Sequence, residues 1–389
     1  MYGFLIIYQS KIEFKLIINN QMIKKIKTVF AIAVFILMSG CSKQEPILIG
    51  FIGGLSGPNA DNGQAGLNGV TLAVEEFNRD GGVKGRLVEL IAKDDGQSKE
   101  KATASTNELV AAKVEAIVGP FTSSMAEVIV PIAGRAGIFE VSPTITSMDF
   151  YGKDDNLFRI NRTTRENAMD YARFLAKRGI RQISVAYDLR NQSFTESWLK
   201  EFRGALAKEG GEVVTAVSYV SSNQAPFEQV ISDMLKAKPQ GLLFISGALD
   251  VARLAQQARR QAPDLPIIAS EWAATEQLID LGGKVVEGLI IVQNYDRDDA
   301  SERFRQFSEA YFKRFQRYPG YSSVSAYDAA IVVLQALKNR QKGETVKDAA
   351  LRSGPYPGLQ QTITFDKNGD TPRKIFFTEI RDGQYKKLQ

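Results

Sequence analysis

Short apolar runs alternate with stretches of helical period along most of the chain. Residues 47–51 form a β-branched apolar run that stops in the turn-rich loop Gly53-Gly54-Leu55-Ser56-Gly57-Pro58. From Gly66 a helical period sets in, with Val70, Ala73, Val74 and Phe77 on one face and Glu75, Glu76 and Arg79 on another. Strands at 87–92, 116–118 and 138–141, with helices at 99–112 and after Ser123, complete four βα units. After Pro143 the pattern is irregular until Asn167. It then restarts with strands at 182–187, 213–217, 242–245 and 267–269 and helices at 194–208, 227–236 and 251–262. A strand at 289–292, helices at 304–315 and 325–337 and a β-rich stretch at 362–387 close the chain. This alternation predicts an α/β protein of two doubly wound parallel-sheet lobes, each covered by helices on both faces. Extended segments join the lobes, so a cleft lies between them. Ligands of such sheets bind outside the carboxyl ends of the strands, where the loops 53–63, 119–124 and 142–146 fall.

The stretch IVGPFTSSM, residues 117–125, reads as strand, turn and helix N-terminus. The first N–H groups of such a helix lack internal partners and carry partial positive charge. The hydroxyls of Thr122, Ser123 and Ser124 therefore either frame a site for an anion, such as a carboxylate, or simply cap the helix.

Charge changes the picture only at the amino terminus. The net charge is +5, but residues 1–40 hold Lys11, Lys15, Lys24, Lys25 and Lys27 against Glu13, a net +4, which leaves +1 for the remainder. The basic balance belongs to a leader, and nucleic acid is excluded as a partner. Lys24, Lys25 and Lys27 precede an apolar run over 29–38 and then Ser39, Gly40 and Cys41, the plan of a secretory signal too short to span a bilayer. Residues 1–40 are read as that signal, with Met22 as a possible true start, and 41–46 as a tether. Cys41 is the only cysteine, which excludes a disulfide within one chain, and no histidine occurs. Ser-His-Asp and Cys-His catalysis and histidine metal sites are thereby removed. No cofactor or metal is expected. Adjacent Asp94 and Asp95 read as turn and cap residues.

Two resemblances rest on these residues. LMSGC, residues 37–41, resembles the bacterial lipoprotein signal, which implies a lipidated Cys41 as mature N-terminus and sole membrane attachment, in the periplasm or on the outer face of the cell membrane. GGLSGPNADNGQAGLNGVTLAVEEFNRDGGVKG (53–85), KDDGQS (93–98), VGPFTSS (118–124), GIFEVSPTIT (137–146), FRINRT (158–163) and SAYDAA (325–330) together resemble the type I periplasmic binding proteins of ABC importers, in the leucine/isoleucine/valine-binding branch. The resemblance implies lobe I from 47–162 plus 294–358, lobe II from 163–293 plus 359–389, hinge closure on a small-molecule ligand, and permease subunits as partners. It implies that Ser123 and Thr146 hold a ligand carboxylate and that Thr146, the Thr144 carbonyl and the Glu271 carboxylate hold an ammonium. Phe194 stands near an aromatic lid position, and Trp272 beside Glu271 is a candidate aromatic wall. Asn62 stands where several members have an aromatic residue on the ligand side chain, and Gly96 and Thr122 replace the cysteines of the branched-chain protein's disulfide.

The reading is a non-enzymatic binding lipoprotein for a branched-chain or other α-amino acid. An aromatic acid, amide or urea-like ligand is the alternative, as is a sensor that signals to a receptor. A nucleotide-using Rossmann enzyme is disfavoured, because Gly50, Gly53, Gly54 and Gly57 lack the G-x-G-x-x-G spacing. A repressor of the lactose type would need a helix-turn-helix before the first lobe, where the leader stands instead.

Overall fold

The computed structural model describes residues 45–57 and 60–388, so the leader, Cys41 and most of the tether lie outside the described residues. Among those residues β1 (Ile47–Gly53), β2 (Val88–Asp94), β3 (Ala116–Val118), β4 (Phe139–Ser142) and β5 (Leu157–Arg159) form an all-parallel sheet in the order β2-β1-β3-β4-β5. A second sheet takes β6 (Gln182–Asp188), β7 (Glu212–Tyr219), β8 (Gly241–Ile245), β9 (Ile267–Ala269) and β10 (Ile290–Gln293). A two-residue ribbon, β11 (Tyr356–Pro357) and β12 (Thr362–Ile363), precedes β13 (Phe376–Arg381) and β14 (Gln384–Lys387). The second sheet runs β14-β13-β10-β9-β8-β6-β7, parallel except at the β13 and β14 edge. The expected α/β architecture of two parallel-sheet lobes is therefore present, with a hairpin added to the second.

Continuous apolar runs become central strands because both faces of a parallel sheet are covered. All three residues of β3 and all five of β8 are buried. Helices Lys99–Ala111 and Ser123–Arg135 cover one face of the first sheet, where Leu109, Met125 and Ile129 meet Ile52 and Ile117. In the second lobe Leu175, Trp198 and Phe202, from helices Thr164–Lys177 and Gln192–Lys208, cover Val185 and Ile268.

Three departures from the sequence reading bear on the site. The helix expected from Gly66 starts at Ala60. Its glycines serve close approach rather than a turn: a Cβ on Gly66 would lie 2.1 Å from the Phe121 ring, and one on Gly69 2.3 Å from the Ser323 carbonyl. The segment read as irregular up to Asn167 holds β5 and the start of helix Thr164–Lys177, fixed by a capping box between Thr163 and Glu166. The chain, expected in lobe II from 359, stays on the first sheet past β12. There Phe365 packs on Phe158 at 4.8 Å, and the Arg159 N–H donates to the Gly369 carbonyl at 2.9 Å, before the chain joins the second sheet at β13.

Glu140, in the middle of the first sheet, is fully buried, and neither carboxyl oxygen has a hydrogen-bond partner. Burial, with repulsion from Asp155, pushes its carboxyl well above the ordinary value of 4.5. A carboxyl whose folded pKa is raised contributes stability that is complete below the unfolded value and is lost as pH rises through the folded one. Glu140→Gln is expected to melt above wild type at about pH 8, the gap closing toward about pH 4. Calorimetry at the two pH values checks this, and a variant that melts lower at the alkaline end contradicts it.

Candidate functional site

The first lobe builds its part of the site from the loops after β3 and β4. Gly119 has φ +138, and a Cβ there would meet the Ile52 carbonyl at 2.3 Å, so the chain turns close against β1 and delivers Phe121 and Ser123 to the carboxyl edge of the sheet. Thr122 occupies the N-cap of helix Ser123–Arg135 but makes no side-chain capping bond. The Ser123 hydroxyl is buried without a partner, and Ser124 Oγ accepts from the Ser193 N–H. None of the three hydroxyls caps the helix. Ser142 Oγ donates to the Pro120 carbonyl and Thr144 Oγ1 to the Phe121 carbonyl, each at 2.6 Å, which locks the two loops together. Thr146 is buried behind them, its hydroxyl also without a partner.

The second lobe contributes a carboxylate. Glu271 opens a short 3₁₀ turn, Glu271–Ala273, directly after β9, and is 4% exposed. Its Oε1 accepts from Asn167 Nδ2 at 2.7 Å and its Oε2 from Trp198 Nε1 at 3.1 Å. Both donors are neutral. Burial pushes the Glu271 carboxyl above the ordinary range, opposed by hydrogen bonds from its own backbone, Asn167 and Trp198 and, more weakly, by Arg162. Behind it the Tyr171 hydroxyl donates to the Ala269 carbonyl at 2.7 Å and accepts from the Val292 N–H at 3.0 Å, tying β9 to β10. Phe194 and Trp272 meet edge to face, their ring centres 5.8 Å apart.

These groups converge on one cavity of about 20 Å³ between the lobes. Ser123, Thr144, Thr146, Phe194, Glu271 and Trp272 line it, six of the seven residues singled out from the sequence as ligand contacts. Asn62 is not among its walls: its Oδ1 accepts from Ser322 Oγ at 2.6 Å, next to Tyr321, which is a wall. Sequence reasoning missed Phe121, Asn191, Asn294 and Tyr321 as walls. It also missed Asn167 and Trp198 as the groups that orient Glu271. Phe121 stood in the VGPFTSS stretch, and a capping-box spacing marked the helix that carries Asn167; Asn294, at the end of β10, had no local signal.

Hydroxyl and amide groups and one carboxylate, Asp149, connect the lobes around this cavity. The Ser124 N–H donates to Asn191 Oδ1 at 3.1 Å, the Ser193 hydroxyl to Asp149 Oδ2 at 2.7 Å, and the Met148 N–H to Ser197 Oγ at 3.1 Å. Asp94 behaves as the turn residue expected of it, accepting from the Leu55 and Gly96 N–H groups at 2.8 Å, and Asp95 accepts from the Gln97 N–H. Among the described residues no group of three or more His, Cys, Asp or Glu is arranged to hold a metal, and no helix is long and apolar enough to cross a membrane.

The sequence profile of the periplasmic binding protein family matches residues 46–384. The leucine-, isoleucine-, valine-, threonine- and alanine-binding protein of Pseudomonas aeruginosa is 23% identical over 90% of this chain and 94% of its own length. The branched-chain amino acid transporter substrate-binding protein of Streptococcus pneumoniae, solved with isoleucine, superposes with a TM-score of 0.81 at 23% identity, covering 88% of this chain and 98% of that one. A solute-binding protein of an ABC transporter from R. palustris, solved with benzoate, superposes with a TM-score of 0.78 at 18% identity, covering 88% and 95%.

Proposed function

This chain belongs to the periplasmic binding protein family, and we propose that it captures an α-amino acid as the extracytoplasmic binding component of an ABC importer. One observation carries the choice of ligand. Glu271 is a buried carboxylate held by two neutral donors, and it faces a cavity whose opposite wall offers the Ser123 and Thr146 hydroxyls. A carboxylate enclosed without a cation is costly, and an ammonium relieves that cost. The ligand carboxylate docks on Ser123 and Thr146 near the start of helix Ser123–Arg135, and the ammonium meets Glu271 as the lobes close. Phe194 and Trp272 cover the bound molecule, the Thr144 carbonyl completes the ammonium contacts, and Asn62 acts through Ser322 and Tyr321. Charge-assisted hydrogen bonds of about 1.5 to 3 kcal/mol each supply much of the roughly 8 kcal/mol that micromolar affinity requires.

The same reading assigns residues 1–40 to a signal peptide and the membrane anchor to lipidated Cys41, with permease subunits receiving the closed form. The relatives named for leucine, isoleucine and valine support an amino acid, while the benzoate-bound neighbour and the aromatic walls favour a second reading, an aromatic acid.

A thermal-shift screen on the full chain, stripped of co-purified ligand, separates the two. At about a thousand times its dissociation constant a ligand stabilises by about 4 kcal/mol, a rise of several degrees. α-Amino acids are expected to raise the midpoint and benzoates to leave it unchanged; the reverse result rejects the amino-acid reading.

A further inference from the structure

Two helix N-termini meet across the cleft. Helix Ser123–Arg135 starts in the first lobe behind Thr122, and helix Gln192–Lys208 starts in the second behind Asn191. The opening N–H groups of a helix have no partners inside it, and the residue before the first turn ordinarily supplies a side-chain acceptor. Neither Thr122 nor Asn191 makes that bond to its own helix. The acceptors come instead from the opposite lobe. Asn191 Oδ1 accepts from the Ser124 N–H at 3.1 Å, and Ser124 Oγ accepts from the Ser193 N–H at 3.2 Å. Ser124 and Ser193 are each the second residue of their helices, so the two bonds form a reciprocal pair. Ser124, Asn191 and Ser193 are 5%, 6% and 7% exposed. Ser123 and Asn191 are walls of the cavity, and Ser124 is not.

When the lobes part, both N–H groups face water and lose little. When the lobes meet, both are enclosed, and an enclosed donor without an acceptor costs more than a satisfied hydrogen bond contributes. We propose that Ser124 is a positioning residue for ligand capture: by exchanging helix caps with Asn191 it holds the lobes closed over the cavity, while Ser123 in the same turn takes the ligand. Binding at one hydroxyl and closure at the next share one helix terminus. Deleting either cap strands an N–H of the opposite helix in the closed form and shifts the protein toward the open one. This rests on hinge closure as the step that captures the ligand.

Amide hydrogen exchange of the ligand-free full chain, wild type against Ser124→Ala, tests it. The reporter is the Met148 N–H, which donates to Ser197 Oγ across the cleft at 3.1 Å and takes part in neither cap. Its exchange is expected to be about five- to a hundredfold faster in the variant, the ratio set by one stranded donor. Asn191→Ala removes the other cap and is expected to speed the same amide, which keeps the test decisive if Ser124→Ala does not fold. Faster exchange at Ser193 alone, with Met148 unchanged in a folded variant, overturns the proposal, because the bond is then only local. Failure of the parent reading looks different: none of alanine, leucine, glutamine or benzoate slows exchange at Met148 in the wild-type chain, whatever the variants do.

Discussion

Glu271→Gln is expected to weaken α-amino acid binding by about 3 to 5 kcal/mol, or roughly two to three and a half orders of magnitude. The amide keeps the shape of the side chain and one acceptor for Asn167 or Trp198, but it leaves the ligand ammonium enclosed without an opposite charge. The pH dependence supplies an independent reading. The ammonium needs the ionised carboxylate, and burial raises the Glu271 carboxyl above its ordinary value of 4.5. Affinity for the cation therefore falls on acidification, and the fall begins above the usual carboxylate range. In Glu271→Gln that portion of the profile should be flat. Titration calorimetry between about pH 8 and pH 5 measures both effects, and a variant that retains wild-type affinity removes Glu271 from the binding chemistry.

Asp328→Ala is expected to lower stability by a similar amount, about 3 to 5 kcal/mol, for a different reason. Asp328 Oδ2 accepts from Arg373 Nη2 at 2.9 Å, and Asp328 Oδ1 accepts from the Leu359 N–H at 2.8 Å. The two side chains are 1% and 4% exposed. This pair ties the segment after β12 to helix Tyr321–Asn339, whose first residue is a wall of the cavity. Removing the carboxylate strands a buried guanidinium. Burial pushes the Asp328 carboxyl up despite the attraction of Arg373, so desolvation outweighs the pairing. The double replacement Asp328→Leu with Arg373→Met is accordingly expected to recover most of the loss. Chemical denaturation of the three proteins decides: a double variant as unstable as the single one would mean that the ion pair itself holds the segment in place.

Much of this fold was legible because a covered parallel sheet imposes its period on the sequence. The runs that become β1, β3, β6, β8 and β9 are read within a residue or two of their observed ends, since apolar side chains on both faces leave little choice of register. What failed to show were elements whose reasons lie elsewhere in space. Gly63 reads as loop in the sequence, yet with Gly66 and Gly69 it lets a helix approach Gly54, Phe121 and Ser323 more closely than any side chain permits. Helix Thr164–Lys177 carries Ala168, Tyr171, Ala172 and Leu175 at helical spacing behind a capping box, a signal that the surrounding polar residues concealed. The site divides in the same way. Ser123, Thr144, Thr146 and Glu271 sit in short stretches that name them. Asn294 and Tyr321 reach the cavity only because the hinge and helix Tyr321–Asn339 return to it late in the chain.

The bonds that join the lobes through Ser124, Met148, Asp149, Asn191, Ser193 and Ser197 contain one carboxylate and no cation. At physiological salt counter-ions largely screen exposed charges more than about 8 Å apart, but they have little hold on hydroxyl and amide contacts. The contacts at this edge of the cleft are thus nearly independent of ionic strength, and the salt dependence of closure falls on the ion pairs Arg297–Glu276 and Lys387–Asp296.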